Sequence, residues 1–279
     1  MKLLELNQLP RYSKRVAELL CGEPDKRIKN EEQILREFGQ EKWGGLLTKW
    51  KNAPCGVDEV CNWECPPDFM HACLVNNQLM LMTTTESFGH YINLIEQALL
   101  DDCSKHLVEI GCGYGSVLFN LIERRRLTYE SVTGLEYTQQ GIELAQNLAR
   151  WHNYNVTVGR GDFGATGISD LVIKPGSDFL TSYSLHYVRD SALALRNLIR
   201  LKPRRVLHFE PIFQHCEEQT VLGILQQRYM RANDYNLSIR EELEKLANTG
   251  EIEITKEVSQ VFGANCLLPA SLLVWRPTS

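Results

Sequence analysis

The sequence has no apolar run long enough to cross a bilayer, and its first residues lack the pattern of a signal peptide. It also has little excess charge, because 30 Lys and Arg stand against 35 Asp and Glu, a net charge of −5. A sequence-independent grip on nucleic acid usually shows as a basic domain or stripe. We therefore expect a cytoplasmic protein with neither a membrane nor a nucleic acid as its partner.

Paired Cys-x-x-Cys knuckles are missing, although the chain has nine cysteines. An odd count without a secretion signal favours reduced thiols over a disulfide framework. Four cysteines do cluster, with only His71 nearby, and they are Cys55, Cys61, Cys65 and Cys73. Their spacing differs from that of usual zinc sites, so we expect packed thiols and no metal, while a structural zinc stays open.

The apolar share of 43% supports one large α/β domain with an extension, or two small domains. Residues 1–82 are predicted to form a helical cap, in which 54–82 have poor periodicity and indicate an irregular connector or lid. Thr83 and Glu86 form a capping-box pattern that starts a helix. We place the main domain at 83–279.

From Leu107 onward, short apolar segments alternate with amphipathic helical ones. Strands are predicted at 107–110, 131–136, near 155–159, near 178–183 and at 205–209. Such β-α-β alternation indicates a parallel sheet with helices on both faces. Segments 251–258 and 271–275 leave no room for a helix between them, which predicts an antiparallel pair finishing the sheet.

A glycine-rich turn joins the first of these strands to its helix, with glycines at Gly111, Gly113 and Gly115. Glycine permits positive φ and a close backbone approach to a ligand, and the N–H groups of the following helix point at it. A dinucleotide fingerprint would need its third glycine at Ser116, whereas Glu109 lies two residues before the first glycine. The spacing disfavours a nicotinamide dehydrogenase, and a turn without a ligand remains the alternative.

This E-x-G-x-G-x-G pattern resembles motif I of the class I methyltransferases, which use S-adenosylmethionine (SAM) and release S-adenosylhomocysteine. The resemblance extends over about 105–279 and does not account for 1–82. It implies an α/β, Rossmann-like sheet of seven strands, parallel with an antiparallel C-terminal strand. It also implies that the amino-acid end of SAM lies over Gly111 and Gly113, with Glu109 orienting the loop or binding the amino group through water.

Ligands of open α/β sheets bind beyond the carboxyl ends of the strands. Glu136 ends the second strand, where a carboxylate can accept both ribose hydroxyl hydrogens, or it is simply an exposed strand-end residue. Tyr137 would pack on the adenosine or at the rim. The resemblance implies an adenine pocket at Asp162 and Phe163, although Asp162 could equally serve a turn. It also adds three residues to the cofactor site, Cys112, Gly115 and Ser182.

His186 and Glu210 follow two strands that should be neighbours, so both would project toward one cleft. Methyl transfer mainly requires the nucleophile to be held against the sulfonium carbon. Where a proton must also leave, histidine is the natural base, and Glu210 would orient it or bind a cationic substrate. The alternatives are a structural histidine and a Glu-Pro pair that ends a strand. Weaker candidates for the substrate pocket are Tyr183, Tyr187 and His215.

The Asn/Asp-Pro-Pro-Tyr/Phe motif of enzymes that methylate planar amines is absent, which argues against a nucleobase substrate. No metal-ligand cluster of the catechol-methyltransferase kind stands out either, so we predict metal-independent transfer. We expect a SAM-dependent methyltransferase that acts on an oxygen or nitrogen of a small metabolite, and we leave a homodimer open. The alternatives are a methyltransferase acting on a protein or RNA partner, or a scaffold that holds SAM.

Overall fold

The computed structural model describes residues 2–3, 10–21, 30–102, 104–124, 126, 128–164 and 169–278. Parts of the predicted cap, at 1, 4–9 and 22–29, lie outside the described residues. Within the described part, ten strands form one mixed sheet: β1 (Lys2–Leu3), β2 (Met70–Val75), β3 (Gln78–Thr83), β4 (His106–Ile110), β5 (Ser131–Glu136), β6 (Val156–Arg160), β7 (Asp178–Ser182), β8 (Arg205–Pro211), β9 (Ile252–Gly263) and β10 (Ala270–Pro277).

Helices connect and cover these strands. The α-helices are α1 (Pro10–Cys21), α2 (Glu31–Ile34), α3 (Gly44–Asn52), α4 (Val57–Glu64), α5 (Thr84–Leu100), α6 (Ser116–Glu123), α7 (Gln139–His152), α8 (Ser191–Arg200), α9 (Val221–Ala232) and α10 (Ile239–Asn248). A π-helix, Leu35–Trp43, joins α2 to α3, and short 3-10 turns lie at Leu185–Tyr187 and Phe213–His215. The predicted capping box is confirmed, since Thr83 and Glu86 exchange hydrogen bonds at the start of α5.

The strand order across the sheet is β1-β3-β2-β9-β10-β8-β7-β4-β5-β6. Strands β8, β7, β4, β5 and β6 run parallel, as the β-α-β alternation predicted. Strand β10 is antiparallel to both β8 and β9, which confirms the predicted finishing pair. The seven strands β4 to β10 therefore form the expected sheet, and three N-terminal strands extend it to ten.

The expectation of an irregular connector over 54–82 was wrong, because this segment contains α4 and a β-hairpin. Strands β2 and β3 pair through a two-residue turn at Asn76 and Asn77, whose φ angles are 48° and 63°. Asparagine tolerates this left-handed geometry, which favours tight hairpins. Through Leu74 and Val75 the hairpin joins β9, so the N-terminal region contributes strands as well as helices.

Successive residues of the central strands alternate between two apolar clusters on opposite faces of the sheet. Leu107 and Leu180 belong to the cluster that also contains residues of α5, α6 and α7, while the adjacent Val108 and Phe179 belong to the cluster with α8 and α10. This is the period of two that a strand imposes on its side chains. The alternation fixes the register and leaves the carboxyl ends of the strands open above the core.

The eight cysteines in the described part of the chain are free thiols. Three of the four that cluster in sequence have separate surroundings: Sγ of Cys61 lies 3.3 Å from the Tyr114 hydroxyl, Cys65 lies beside His71, and Cys73 is buried in β2. Among the described side chains, no three of His, Cys, Asp or Glu are grouped as a metal ion would need. No described helix combines the length and the apolar character needed to span a bilayer.

A buried polar network crosses the sheet at His208. The Trp275 indole N–H donates to Nε2 of His208 at 2.8 Å, so this nitrogen is an acceptor and Nδ1 carries the proton. Nδ1 then donates to the Thr181 hydroxyl, also at 2.8 Å. The imidazole is held in its neutral form, and burial lowers its pKa to about 4.

We expect His208 to make the protein acid-labile. As pH falls below the ordinary histidine pKa, His208 becomes protonated in the unfolded chain, whereas in the folded chain it stays neutral down to about pH 4. The free energy of unfolding should therefore decrease as pH drops between these two values. The slope is at most about 1.4 kcal/mol per pH unit. Urea unfolding of the wild type and of His208→Gln at pH 7 and pH 5 measures this pH dependence. An equal stability difference between the two proteins at both pH values would contradict the expectation.

Candidate functional site

A cavity of about 510 Å³ lies beyond the carboxyl ends of β4, β5, β6 and β7, where the sheet topology predicts a ligand. Eight of the predicted site residues line it: Gly111, Gly113, Glu136, Tyr137, Asp162, Phe163, Tyr183 and Tyr187. Seven do not: Glu109, Cys112, Gly115, Ser182, His186, Glu210 and His215. The other lining residues are Glu31, Ile34, Phe38, Trp43, Thr138, Gly161, Gly164, Ser184, Val188 and Arg189.

The glycine turn needs glycine at its first two positions for steric reasons. Gly111 has φ of +73°, and a Cβ there would lie 2.3 Å from Cβ of Ser184. Gly113 has φ of +57°, and its backbone faces the cavity. Side chains are disfavoured in this conformation, and bare backbone lets a ligand come close. The predicted glycine loop is thus present with the geometry that a ligand-binding turn requires.

Glu136 joins this loop to the start of α7. Its Oε2 accepts the N–H of Gly113 at 3.0 Å, and its Oε1 accepts the N–H and hydroxyl of Thr138 at 2.9 and 2.7 Å. The alternative of an exposed strand-end glutamate was wrong, because the residue is only 6% exposed. Burial raises the pKa of this carboxyl, and the hydrogen bonds from Thr138 and Gly113 oppose the shift.

Glu109 is buried beneath the loop and does not reach the cavity surface. Burial raises its pKa to about 8, an N–H donated by Leu118 opposes the shift, and the charge of Glu136 adds to it. Its Oε2 has no hydrogen-bond partner among the described residues. Of the two buried glutamates beside the glycine loop, only Glu136 reaches the cavity wall.

The adenine pocket implied by the resemblance has the expected composition. Asp162 is half-buried at the cavity wall, and Phe163 beside it is buried. Oδ1 of Asp162 accepts the N–H of Gly164 at 2.9 Å, so the turn function considered from sequence is also present. Tyr137 lies at the cavity edge, where its hydroxyl donates to Glu31 of α2. These acceptors and rings fit a nucleoside.

Three residues that the resemblance assigned to the cofactor face elsewhere. The Cys112 side chain points to Gly134 of β5 in the core, and Gly115 is the N-cap of α6. The Ser182 hydroxyl is bonded to the Tyr91 hydroxyl at 2.7 Å. Ser184 lines the cavity instead, and its hydroxyl donates to the carbonyl of Ile110 at 2.9 Å.

His186 and Glu210 form the buried pair that the strand order predicted. Nδ1 of His186 lies 3.0 Å from Oε2 of Glu210, and the two residues are 1% and 0% exposed. Oε1 of Glu210 also accepts the N–H groups of Ser184 and Leu185, each at 2.9 Å. Burial alone would raise the pKa of Glu210, but the bond from His186 and these N–H groups hold it below its usual value.

The imidazole of His186 lies one side chain behind the cavity wall. Its ring centroid is 4.1 Å from that of Tyr187, which lines the cavity, and 4.8 Å from that of Tyr235. Because Nδ1 donates to Glu210, Nε2 is the basic nitrogen, and it is buried without a hydrogen-bond partner among the described residues. A histidine oriented by a carboxylate therefore lies next to the cavity.

His215 lies outside this arrangement. Its Nδ1 is 2.7 Å from the Ser271 hydroxyl, and its Nε2 is 2.6 Å from Oε1 of Glu257. Glu257 is also paired with Arg240 at 2.7 Å. Both ring nitrogens are thus engaged in contacts with β9 and β10, away from the cavity.

The largest omission from the sequence-based site is its N-terminal side, formed by Glu31, Ile34, Phe38 and Trp43. These residues come from α2 and the π-helix, which lie across the start of α7. The helical cap predicted over 1–82 contains all four of them, although none was assigned to the site from the sequence. A π-helix has no sequence signature, and nothing local indicates that this face covers a cleft formed far along the chain.

Solved structures with similar folds were found, all of low sequence identity. The [4+2]-cyclase SpnF aligns with a TM-score of 0.57 and 14% identity, over 92% of this chain and 99% of its own. An rRNA methylase from Escherichia coli aligns with a TM-score of 0.50 and 13% identity, over 88% and 82%. The small RNA methyltransferase HEN1 aligns with a TM-score of 0.53 and 12% identity, over 71% of this chain. These alignments establish a shared fold.

This chain spans only 26% of the length of HEN1. No curated protein matches the sequence at a significant level. The model of a family described as a methyltransferase domain matches residues 101–251, more than half of the chain, and this match covers the glycine loop, Glu136 and the His186–Glu210 pair. The chain therefore belongs to the methyltransferase domain family, and it is a class I methyltransferase whose cofactor is SAM.

Proposed function

We propose that this enzyme transfers a methyl group to an oxygen or nitrogen of a small molecule. The observation that carries the proposal is the cavity of about 510 Å³, which has a volume typical of small-molecule sites and is covered by N-terminal residues. Its walls include the aromatic side chains of Phe38 and Tyr187, and its N-terminal side carries the acid Glu31. Such a lining suits a compact apolar or cationic acceptor better than a polyphosphate backbone.

The cofactor assignment follows from the same lining. Glu136 and Asp162 supply acceptors for the ribose and the adenine amine, and Phe163 and Tyr137 supply rings beside them. Gly111 and Gly113 supply the backbone surface. When bound, SAM supplies an electrophilic methyl group. The residues of this chain hold it, exclude water and orient the acceptor, and no metal is needed for that work.

The proton released by a hydroxyl or ammonium acceptor is taken up by His186 in this proposal. Glu210 fixes the ring through Nδ1, which leaves Nε2 as a buried acceptor without a partner among the described atoms. A buried unpaired nitrogen is unfavourable, so a hydrogen bond from a bound acceptor would be stabilising once the Tyr187 side chain moves aside. Glu210 is saturated by N–H donors, which favours an orienting role over binding a cationic substrate.

The free thiols in the described part of the chain agree with a reducing, cytoplasmic location, which belongs to the same proposal. An RNA or protein acceptor is the competing possibility, because the similar solved structures include a small RNA methyltransferase and an rRNA methylase. The third possibility is that the protein holds SAM as a scaffold and transfers no methyl group.

The acceptor class can be tested with methyl-labelled SAM. We expect the wild-type enzyme, added to cell extract, to place label in molecules small enough to pass an ultrafiltration membrane, because the cavity is covered. The Glu136→Ala variant is the control for transfer by other enzymes in the extract. Label retained with protein, or released only by ribonuclease, would overturn the small-molecule proposal in favour of its competitor.

Glu136→Ala should weaken SAM binding by more than about tenfold, measured by calorimetry. The change removes the proposed ribose acceptor and also the acceptor for the Gly113 N–H, which shapes the loop. Glu130→Ala, an exposed residue before the other end of β5, is the matched control and should bind SAM as wild type does. Wild-type affinity in Glu136→Ala would remove this residue from the cofactor site.

His186→Asn should lower kcat by about 10²-fold or more, the usual contribution of a general base, while the Kd for SAM stays within about threefold. His106→Asn, at the amino end of β4, is the control. An unchanged rate in His186→Asn would show that the acceptor needs no base.

A further inference from the structure

Trp43, the last residue of the π-helix, lies directly against the glycine loop. A Cβ at Gly113 would be 3.0 Å from Cζ2 of the indole, and a Cβ at Gly141 would be 3.1 Å from its Cδ1. The side chain is 9% exposed and lines the cavity. The indole thus contacts both the glycine loop and the first turn of α7. It does so at the end of the cavity that is lined by glycine backbone.

A network of contacts holds the indole in this position. The Tyr114 ring of the glycine loop packs edge-on against it, with centroids 5.2 Å apart. The Tyr114 hydroxyl donates to Oε2 of Glu64 at 2.8 Å, and Lys42 pairs with Oε1 of Glu64 at 2.7 Å. Lys42 also lies 4.5 Å from the indole centroid. One carboxylate on α4 therefore ties the π-helix to the loop.

The π-helix also contacts the opposite wall of the cavity. Phe38 lies five residues before Trp43, the separation that a π-helical turn bridges, and their centroids are 6.2 Å apart. Phe38 packs edge-on against Tyr187, at 5.0 Å, after β7. Two aromatic residues on one turn thus reach from the glycine loop to the segment beside His186. Backbone of this kind is rare and occurs frequently at functional sites.

We propose that Trp43 is a cofactor-binding residue, whose indole closes the glycine-loop end of the cavity and holds the amino-acid end of SAM. The π-helix Leu35–Trp43 is then part of the cofactor site as well as a cover for the acceptor. This inference rests on the proposed assignment of the cavity to SAM, and it adds a residue from outside the segment that resembles methyltransferases.

The test follows the intrinsic tryptophan fluorescence during titration with SAM and with S-adenosylhomocysteine. Both ligands should change the emission of the wild type. Most of the change should be lost in Trp43→Phe and kept in Trp151→Phe, the matched control, because Trp151 is 54% exposed and lies outside the cavity lining.

Affinities and rates provide the second readout. Trp43→Ala should raise the KM for SAM and the Kd for both ligands by about tenfold or more, with kcat at saturating SAM within about threefold. Trp43→Phe should recover most of this loss, because a ring still fills the space against Gly113. A merely structural tryptophan would instead lower the unfolding midpoint without this separation of KM from kcat.

Two failures can be told apart. If wild type binds neither ligand, the cofactor assignment falls and this inference falls with it. If wild type binds SAM while Trp43→Ala binds it equally well, or while Trp43→Phe keeps the full fluorescence change, only the role of Trp43 is refuted. If Trp43→Ala does not fold, the fluorescence comparison between the wild type and Trp43→Phe still tests the role of Trp43, because Trp43→Phe is the milder change.

Discussion

The hydrogen bond from the Gly113 N–H to the buried carboxylate of Glu136 is the contact on which the site depends. The same carboxylate accepts from Thr138 at the start of α7, so one side chain joins the loop after β4 to the helix after β5. A carboxylate this buried is stable only because charge-assisted N–H bonds replace its water. The loop in turn exposes Gly111 and Gly113 to the cavity, and Trp43 packs against Gly113.

Three buried glutamates lie near the carboxyl ends of the central strands, and their surroundings do not shift their pKa values in the same direction. Glu109 has an unbonded oxygen among the described atoms and a pKa near 8, so it is mostly neutral at pH 7. Glu210 is surrounded by N–H donors, and its pKa is lowered. Burial also raises the pKa of Glu136, and the hydrogen bonds from Thr138 and Gly113 oppose this shift. Glu210 orients a histidine, whereas Glu136 holds the glycine loop.

The sequence predicted the features that depend on short stretches of chain. The spacing of the glycines indicated the loop, and the acids at strand ends indicated Glu136 and Asp162. Each of these features lies at or just after the end of its own strand. Ser182 was misplaced, and the reason is local geometry: Tyr183 has φ of +50°, so the chain leaves the alternation of β7 and Ser184 faces the cavity instead. The direction of the His186 ring depends on the same turn, and no pattern of residue types encodes it.

The N-terminal region was the least predictable part because its role is set by distant partners. Its helices supply Phe38 and Trp43 to the cavity, and its hairpin pairs Leu74 with Gly263 of β9. The glycine loop depends on it in return, since the buried Tyr114 hydroxyl would lose its acceptor without α4. Strands from both sides of residue 83 therefore share one sheet, and a carboxylate on α4 shapes the loop that follows β4. In the proposed assignment, the cofactor site thus includes a residue from outside the segment that carries the family resemblance.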